Sequence, residues 1–143
     1  MNTESSLFEQ MFGLAKKARN NAHAIYTRFQ VGCCIRTANN QFFIGSNIEN
    51  IGGPASVCAE VSAICNMVVS GEREISEILI VSSPEIFCVP CGNCRQVMSE
   101  FCGDDTLVHV CDLEKLLKTM NYRDLLPYCF GEDFRKKISE SAG

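Results

Sequence analysis

Three cysteines and one glutamate constrain this chain more than any other feature. The letters CAE, beginning at Cys58, are followed later in the chain by PCGNC, which contains Cys91 and Cys94. A catalytic zinc site combines three protein ligands with an open position for water, whereas a structural site is closed by four protein ligands. A carboxylate beside that open position, here Glu60, is a residue type that moves protons to and from water. The spacing therefore predicts a zinc centre with Cys58, Cys91 and Cys94 as ligands and Glu60 as its catalytic residue.

Each predicted ligand lies near the start of a predicted helix, at residues 58–70 and 91–102. Free backbone N–H groups and the positive end of the helix dipole favour a thiolate over a thiol at such a position. Cys91 and Cys94 are three residues apart, so they share one helix face and can bind one ion. The apolar flank of the first of these helices is expected to raise the pKa of Glu60.

Two other interpretations of the same cysteines stay open at this point. Cys88 is a possible fourth ligand of a closed structural zinc site, and Cys88, Cys91 and Cys94 have the C-x2-C-x2-C spacing of an iron–sulfur cluster. No C-x3-C-P ending follows, because the next cysteine is Cys102. Glu60 also has no role in a closed site. The pattern therefore favours the catalytic zinc centre.

Composition limits the classes of protein to which the chain can belong. Its 143 residues fit one domain over residues 1–143, and its hydrophobic share of 46% is enough for a core. A net charge of −4 without a basic run argues against a nucleic-acid partner. No secretory signal and no membrane-length apolar stretch is recognised. The ten cysteines are therefore expected to be reduced thiols in the cytoplasm.

Hydrophobic periodicity predicts alternating helices and strands. The predicted helices are residues 6–21, 58–70 and 91–102, and the predicted strands are 29–37, 41–46, 78–81 and 107–111. A hairpin is expected across Asn39-Asn40, and adjacent Cys33 and Cys34 are expected on opposite faces of their strand. This alternation predicts an α/β fold with a largely parallel sheet between helices.

The last third of the chain has weaker signals. The apolar spacing over residues 113–126 leans towards a helix, and the charged tail after Phe134 is expected to be disordered. His109, in the last predicted strand, has no neighbouring metal-ligating residue in the sequence. We therefore interpret His109 as structural.

Four stretches extend the pattern around the cysteines: YTRFQVG at residues 26–32, GSNIEN at 45–50, PCGNCRQ at 90–96 and LLPYCF at 125–130. With the C-x-E and P-C-x-x-C pair, they resemble the small homotetrameric cytidine deaminases in their all-cysteine form. The resemblance covers about residues 26–130. It implies a three-layer α/β/α fold with a five-stranded mixed sheet and one zinc ion per chain. It also implies a strand near residues 115–119, which we adopt over the helical pattern.

The resemblance also implies roles for substrate-binding residues. Asn47 and Glu49 would bind the ribose 3′-hydroxyl, Phe29 would flank the base, and the backbone of Ala59 would bond its ring. Phe130 would reach in from a neighbouring subunit. The implied reaction is hydrolytic deamination of cytidine or 2′-deoxycytidine as a small-molecule nucleoside, as in pyrimidine salvage.

Two departures from the family pattern concern the tuning of the site. The family usually has an arginine directly after the glutamate, where this chain has Val61, and Arg95 is the nearest candidate to offset the thiolate charge. Residues 51–54, IGGP, also depart from the family and resemble the loop of blasticidin-S deaminase. Deamination of a modified aminopyrimidine nucleoside is therefore the alternative reaction, and a non-catalytic zinc or iron–sulfur module is the alternative outside enzymes.

Overall fold

The computed structural model of the protein describes residues 3–84 and 86–143. The strands are β1 (Gly32–Thr37), β2 (Phe42–Ser46), β3 (Ile75–Val81), β4 (Cys102–Cys111) and β5 (Leu116–Asn121). The helices are α1 (Thr3–Asn20), α2 (Ala59–Val69), α3 (Gly92–Met98), α4 (Tyr122–Leu125) and α5 (Glu132–Ala142). In the part of the chain that is described, no helix is both long and apolar enough to cross a membrane.

The strands form one five-stranded mixed sheet in the order β2-β1-β3-β4-β5. Only β3 and β4 are paired in parallel; β1–β2, β1–β3 and β4–β5 are antiparallel. The mixed sheet implied by the family resemblance is therefore confirmed, and the largely parallel sheet predicted from element alternation is wrong. The physical reason is that β2 and β3 run in the same direction through α2, but β1 lies between them and opposes both.

Helices cover both faces of the sheet. On one face α2 and α3 pack against a core that contains Cys33, Ile35 and Ile78. On the other face α1 packs against a core that contains Cys34 and Leu79. Cys33 and Cys34 are both fully buried, so the prediction that these adjacent residues face opposite sides is confirmed. The hairpin at Asn39-Asn40 is also confirmed, since β1 and β2 flank it in antiparallel register.

Two elements differ from their predictions because of β4: one helix is shorter, and one predicted helix is a strand. Helix α3 stops at Met98, four residues before the predicted end, because Cys102 pairs with Ile75 and begins β4. Leu116–Asn121 is a strand, because it pairs antiparallel with β4, so the helical pattern was wrong and the strand implied by the family is confirmed. The tail after Phe134, which was expected to be disordered, is helical up to Ala142 as part of α5, and no residue of α5 is buried.

A charged network crosses the sheet on the α1 face. Arg36 Nε donates to Glu77 Oε2 at 2.7 Å, and His109 Nε2 lies 3.1 Å from Glu77 Oε1. His109 Nδ1 lies 2.8 Å from Thr119 Oγ1, and the ring of Phe8 meets the imidazole edge-on. The hydrogen bond with His109 and then the one from Arg36 lower the pKa of Glu77 to about 2. His109 is thus structural, as expected.

Gly45 allows α2 to lie directly against β2. A Cβ at this position would collide with backbone atoms of α2, among them the nitrogen of Ala63 and, at 2.5 Å, the oxygen of Ala59. Because these are backbone atoms, they cannot move aside as a flexible side chain would. Gly45 therefore sets the distance between β2 and α2.

We predict that Gly45→Ala lowers the free energy of unfolding by about 2–3 kcal/mol, because the added methyl group overpacks the contact with α2. Gly13→Ala is the matched control: nothing lies within 4 Å of its added Cβ. Alanine in this helix interior should raise stability by about 0.5–1 kcal/mol. Urea unfolding measures both variants, and equal stability of the two would contradict the close packing at Gly45.

We predict that Glu77→Gln lowers stability at neutral pH by about 2 kcal/mol. The folded pKa of Glu77, about 2, is below its ordinary value of 4.5. Its contribution is therefore complete above the ordinary value and is lost as the pH falls towards the folded value. Urea unfolding of parent and variant should show a difference that stays constant from neutral pH down to about pH 5 and shrinks at lower pH. A difference that does not depend on pH would rule out the carboxylate as its source.

Candidate active site

The structure brings the three predicted thiol ligands together. Cys58 and Cys91 are the residues that immediately precede α2 and α3, and both have extended backbone conformations. Cys94 lies in the first turn of α3 and is fully buried. The Sγ atoms of Cys58 and Cys91 are 3.8 Å apart, and those of Cys91 and Cys94 are 3.5 Å apart. All three sulfurs lie within 4.8 Å of one another.

This geometry fits a zinc ion. A Zn–S bond of about 2.3 Å in tetrahedral geometry separates two sulfurs by about 3.8 Å, which agrees with the observed separations. Hydrogen bonds from Cys94 and then Cys91 lower the pKa of Cys58 to about 6. The hydrogen bond to Cys58, followed by burial, raises the pKa of Cys94. One thiolate is therefore already favoured at neutral pH, and binding of the ion would displace the protons that remain.

Cys88 lies outside this group. Among the described residues, the set of thiols within mutual ligand distance is Cys58, Cys91 and Cys94. Burial and the nearby charge of Glu60 raise the pKa of Cys88 to about 11. The geometry therefore argues against both the closed four-thiol site and the iron–sulfur cluster.

Glu60 is buried beside the thiols, with 5% of its surface exposed. It lies in the first turn of α2, two residues after Cys58. Burial raises the pKa of Glu60, while hydrogen bonds from Cys94 and from its own backbone N–H act in the opposite direction. The predicted direction of the shift is thus confirmed. A raised pKa brings a carboxyl group closer to the range in which it can both accept and donate a proton.

Arg95 contacts backbone carbonyls instead of sulfurs. Its Nε donates to the carbonyl oxygen of Pro90 at 2.7 Å and its Nη1 to that of Leu125 at 2.9 Å. Within the described residues, no hydrogen bond joins Arg95 to Cys58, Cys91 or Cys94. Val61, where the family usually has arginine, packs against the apolar core. The charge compensation predicted for Arg95 therefore has no hydrogen bond to a sulfur behind it in the described residues.

Backbone pairing connects the GSNIEN stretch to the residue that precedes Cys58. Ile48 exchanges two hydrogen bonds with Val57, of 2.8 and 2.9 Å, and Val57 immediately precedes Cys58. On the other side of Ile48, the carbonyl of Asn47 accepts from His23 N–H. The residues around Ile48 thus form a short ladder between the end of α1 and the start of α2. It holds the predicted substrate-binding residues next to the first predicted zinc ligand.

The side chain of Asn47 fastens the segment that leads into β1. Its Oδ1 accepts from Val31 N–H and its Nδ2 donates to the carbonyl of Phe29, both at 2.8 Å. One N–H and one lone pair of the amide stay free for a ligand. Phe29 is half-buried and packs against the core that contains Ala59 and Cys94. Asn47 and Phe29 are therefore tied to each other in the segment that leads into β1.

Glu49 is held by a residue that the sequence analysis missed. Its Oε1 accepts from the backbone N–H groups of Tyr26 and Thr27, at 3.0 and 3.2 Å, and its Oε2 accepts from Thr27 Oγ1 at 2.6 Å. The side-chain hydrogen bond from Thr27 lowers the pKa of Glu49 more than any other interaction. No periodicity links positions 27 and 49; only their place within two resembling motifs was a signal.

Phe130 is placed away from the thiols of its own chain. Its side chain is 77% exposed, and its carbonyl accepts from Gln96 Nε2 at 3.2 Å. Its ring approaches that of Phe134 in α5, with centroids 6.1 Å apart. The structure thus joins Cys58, Glu60, Cys91 and Cys94 in one site and leaves Phe130 on the surface.

Comparison with known proteins agrees with this site. The family model for the cytidine and deoxycytidylate deaminase zinc-binding region matches residues 5–111. The chain belongs to this deaminase family. Membership, together with the three-thiol geometry, supports the prediction of a zinc cofactor, and it makes the chain an enzyme of the zinc-dependent deaminase class.

Deaminases that resemble the chain are similar over most of their length. A cytidine deaminase of Halalkalibacterium halodurans is 35% identical over 116 residues, which are 81% of this chain and 88% of that protein. One of Mycoplasma genitalium is 39% identical over 106 residues, 73% of this chain and 81% of that protein.

Solved cytidine deaminase structures have the same fold. The crystal structure from Burkholderia pseudomallei covers 91% of this chain and 100% of its own, with a TM-score of 0.81 and 30% identity. The structure from Mycobacterium tuberculosis covers 87% of this chain and 97% of its own, with a TM-score of 0.76 and 28% identity. The three-layer fold expected from the resemblance is therefore confirmed.

We predict that Cys94→Ser removes most of the bound zinc, because serine does not supply the soft thiolate that completes the site. Cys65→Ser is the matched control, since Cys65 is a free, exposed cysteine on α2 outside the thiol group. Metal analysis after dialysis should find about one zinc per chain in the parent and control and a small fraction of that in Cys94→Ser. Iron in the parent, or full zinc in Cys94→Ser, would contradict the assignment.

Proposed function

We propose that the chain catalyses the hydrolytic deamination of cytidine and 2′-deoxycytidine. Water adds at C4 of the cytosine ring, the C4–N4 bond breaks, and ammonia leaves, so that the products are uridine or deoxyuridine. The observation that carries this proposal is the buried carboxyl group of Glu60 beside three sulfurs that lie within 4.8 Å of one another. The named cytidine deaminase relatives and solved structures support the choice of substrate.

Glu60 is the proposed proton carrier. Cys58, Cys91 and Cys94 would hold the zinc ion, which would lower the pKa of water and so supply a nucleophile at neutral pH. Glu60 takes one proton from the attacking water and gives it to ring N3. It then takes the second proton from the new hydroxyl group at C4 and gives it to the departing amino group. These steps need one carboxyl group that alternates between base and acid. Burial, which raises the pKa of Glu60, supports both roles.

The proposed nucleoside site is the wall formed by Asn47, Glu49 and Phe29. Asn47 and Glu49 bind the ribose 3′-hydroxyl, Phe29 flanks the base, and the backbone of Ala59 hydrogen-bonds the ring. The amide of Asn47 keeps one donor and one acceptor beyond its two backbone contacts. A site built to pair a sugar hydroxyl discriminates strongly against a base that lacks the sugar.

The proposed assembly is a homotetramer in which Phe130 of one subunit completes the site of another. Phe130 is 77% exposed and its ring lies beside that of Phe134, which is also exposed. Exposed apolar side chains that lie together support a contact with a second copy. We also propose that the chain acts as a single domain in the cytoplasm on free nucleosides. The net charge of −4 disfavours a nucleic-acid substrate, whose binding requires basic residues.

The test is an ultraviolet assay on cytidine, 2′-deoxycytidine, cytosine and blasticidin S, with Glu60→Gln beside the parent. We predict that the parent consumes both nucleosides but not cytosine, without dependence on salt concentration. Glu60→Gln should retain zinc and lose about 10²–10⁴-fold in kcat. Glu140→Gln, in exposed α5, is the control and should behave as the parent does.

The substrate panel also separates the alternatives. Turnover of blasticidin S in place of cytidine would replace the proposed substrate with a modified nucleoside, in line with the exposed loop at Ile51. Full activity of Glu60→Gln would contradict the role of Glu60 as proton carrier. No turnover of any aminopyrimidine nucleoside would contradict the proposed function altogether.

A further inference from the structure

The guanidinium group of Arg95 connects the residue before Cys91 to the end of α4. One of its hydrogen bonds goes to the carbonyl of Pro90, at 2.7 Å, and the other to the carbonyl of Leu125, at 2.9 Å. Pro90 immediately precedes the thiol of Cys91, and Leu125 is the last residue of α4. Both are short hydrogen bonds, and a cationic donor makes each stronger than a neutral pair.

The backbone of Arg95 strengthens the same connection. Its N–H donates to the carbonyl of Cys91 at 3.0 Å, and its carbonyl accepts from the hydroxyl of Tyr122 at 2.7 Å. Tyr122 is the first residue of α4 and is 6% exposed. The side chain of Arg95 and its backbone therefore each form one hydrogen bond with residues 90–91 and one with α4.

The segment after α4 is bonded to α3 as well. Gln96, next to Arg95, donates to the carbonyl of Phe130 at 3.2 Å. Arg135 donates to Glu100 Oε1 at 2.9 Å and to Cys129 Sγ at 3.5 Å. Residues 125–130 are thus attached at their first and last positions to the helix that carries Cys94.

We propose that Arg95 is a positioning residue that couples the thiol turn, residues 90–94, to the segment of residues 125–130. When Cys91 and Cys94 are fixed by a metal ion, the carbonyl of Pro90 is fixed with them. Through the rigid guanidinium fork of Arg95, Leu125 is then fixed too. Coupling of this kind is reciprocal, so order in residues 125–130 must favour metal binding by the same factor.

Arg95 acts on the metal centre through the position of its neighbours and not through its charge. Its role is geometric: it holds the carbonyls on either side of it, and it does not hydrogen-bond a thiolate. The coupling itself depends only on the contacts described above. Its consequence for catalysis rests on the proposed function, because only there does Phe130 enter a neighbouring site; order in one chain would then prepare the site of another.

The test compares Arg95→Ala and Arg95→Lys with the parent, each with zinc and after chelation. We expect zinc affinity, measured by competition with a chromogenic chelator, to fall about tenfold in both variants, as for other residues that orient metal ligands. Lysine should not restore it, because one ammonium group does not replace a planar fork between two carbonyls. Arg73→Ala is the matched control: Arg73 also donates to two carbonyls, those of Val68 and Glu72, but at the far end of α2.

Amide hydrogen exchange gives a second readout that does not need activity. In the parent and in Arg73→Ala, chelation should speed exchange in residues 90–94 and 125–130 more than in α1. In both Arg95 variants, exchange in residues 125–130 should be fast and independent of zinc. Tyr122→Phe removes only the hydroxyl contact and should give a smaller change in the same direction, which keeps the test usable if Arg95→Ala does not fold.

Several outcomes would overturn the proposal. One is a zinc affinity of Arg95→Ala equal to that of the parent. Another is a zinc affinity that Arg95→Lys restores to the parental value. The third is amide exchange that chelation speeds equally in all parts of the parent. Restoration by lysine would assign the residue to charge compensation instead. Because neither readout uses a nucleoside, a parent that shows the coupling but deaminates nothing would refute only the proposed function. An active parent without the coupling would refute only this inference.

Discussion

Close packing between α2 and β2 is the constraint on which the rest of the site depends. Gly45 lets the helix backbone approach the strand so closely that a Cβ there would collide with Ala63 and Ala59. Cys58 precedes this helix directly, so the position of its thiol follows from the position of the helix. The same approach buries Glu60, which is only 5% exposed. The position of the Cys58 thiol and the raised pKa of Glu60 thus have one structural origin.

The charge of the metal centre is balanced without a guanidinium contact to sulfur. Three thiolates around Zn²⁺ leave a net negative ion, and a buried carboxylate adds to it. Val61 contributes nothing to this balance, and the hydrogen bonds of Arg95 go to Pro90 and Leu125. The remaining compensation comes from the first turns of the helices at the thiols, whose free N–H groups favour negative sulfur.

The two faces of the sheet have separate tasks. The α2 and α3 face carries the thiols and Glu60. The α1 face carries the network of Arg36, Glu77 and His109, whose strong pKa shift at Glu77 would suggest a functional site if considered by itself. No buried side-chain nitrogen or oxygen described in that network lacks a partner, and the network lies across the sheet from the thiols. A shifted pKa in this protein therefore marks stability on one face and chemistry on the other.

The sequence alone determined the features that depend on near neighbours along the chain. The pairing of Cys91 with Cys94, the placement of Glu60 beside Cys58, and the alternation of Cys33 and Cys34 follow from helix and strand geometry over a few residues. Tertiary structure decided what depends on distant partners. Only pairing with β4 makes residues 116–121 a strand against their helical pattern, and only the insertion of β1 between β2 and β3 makes the sheet mixed. The targets of Arg95 likewise depend on where Leu125 lies, because a long cationic side chain bonds whichever carbonyls the fold brings within its reach.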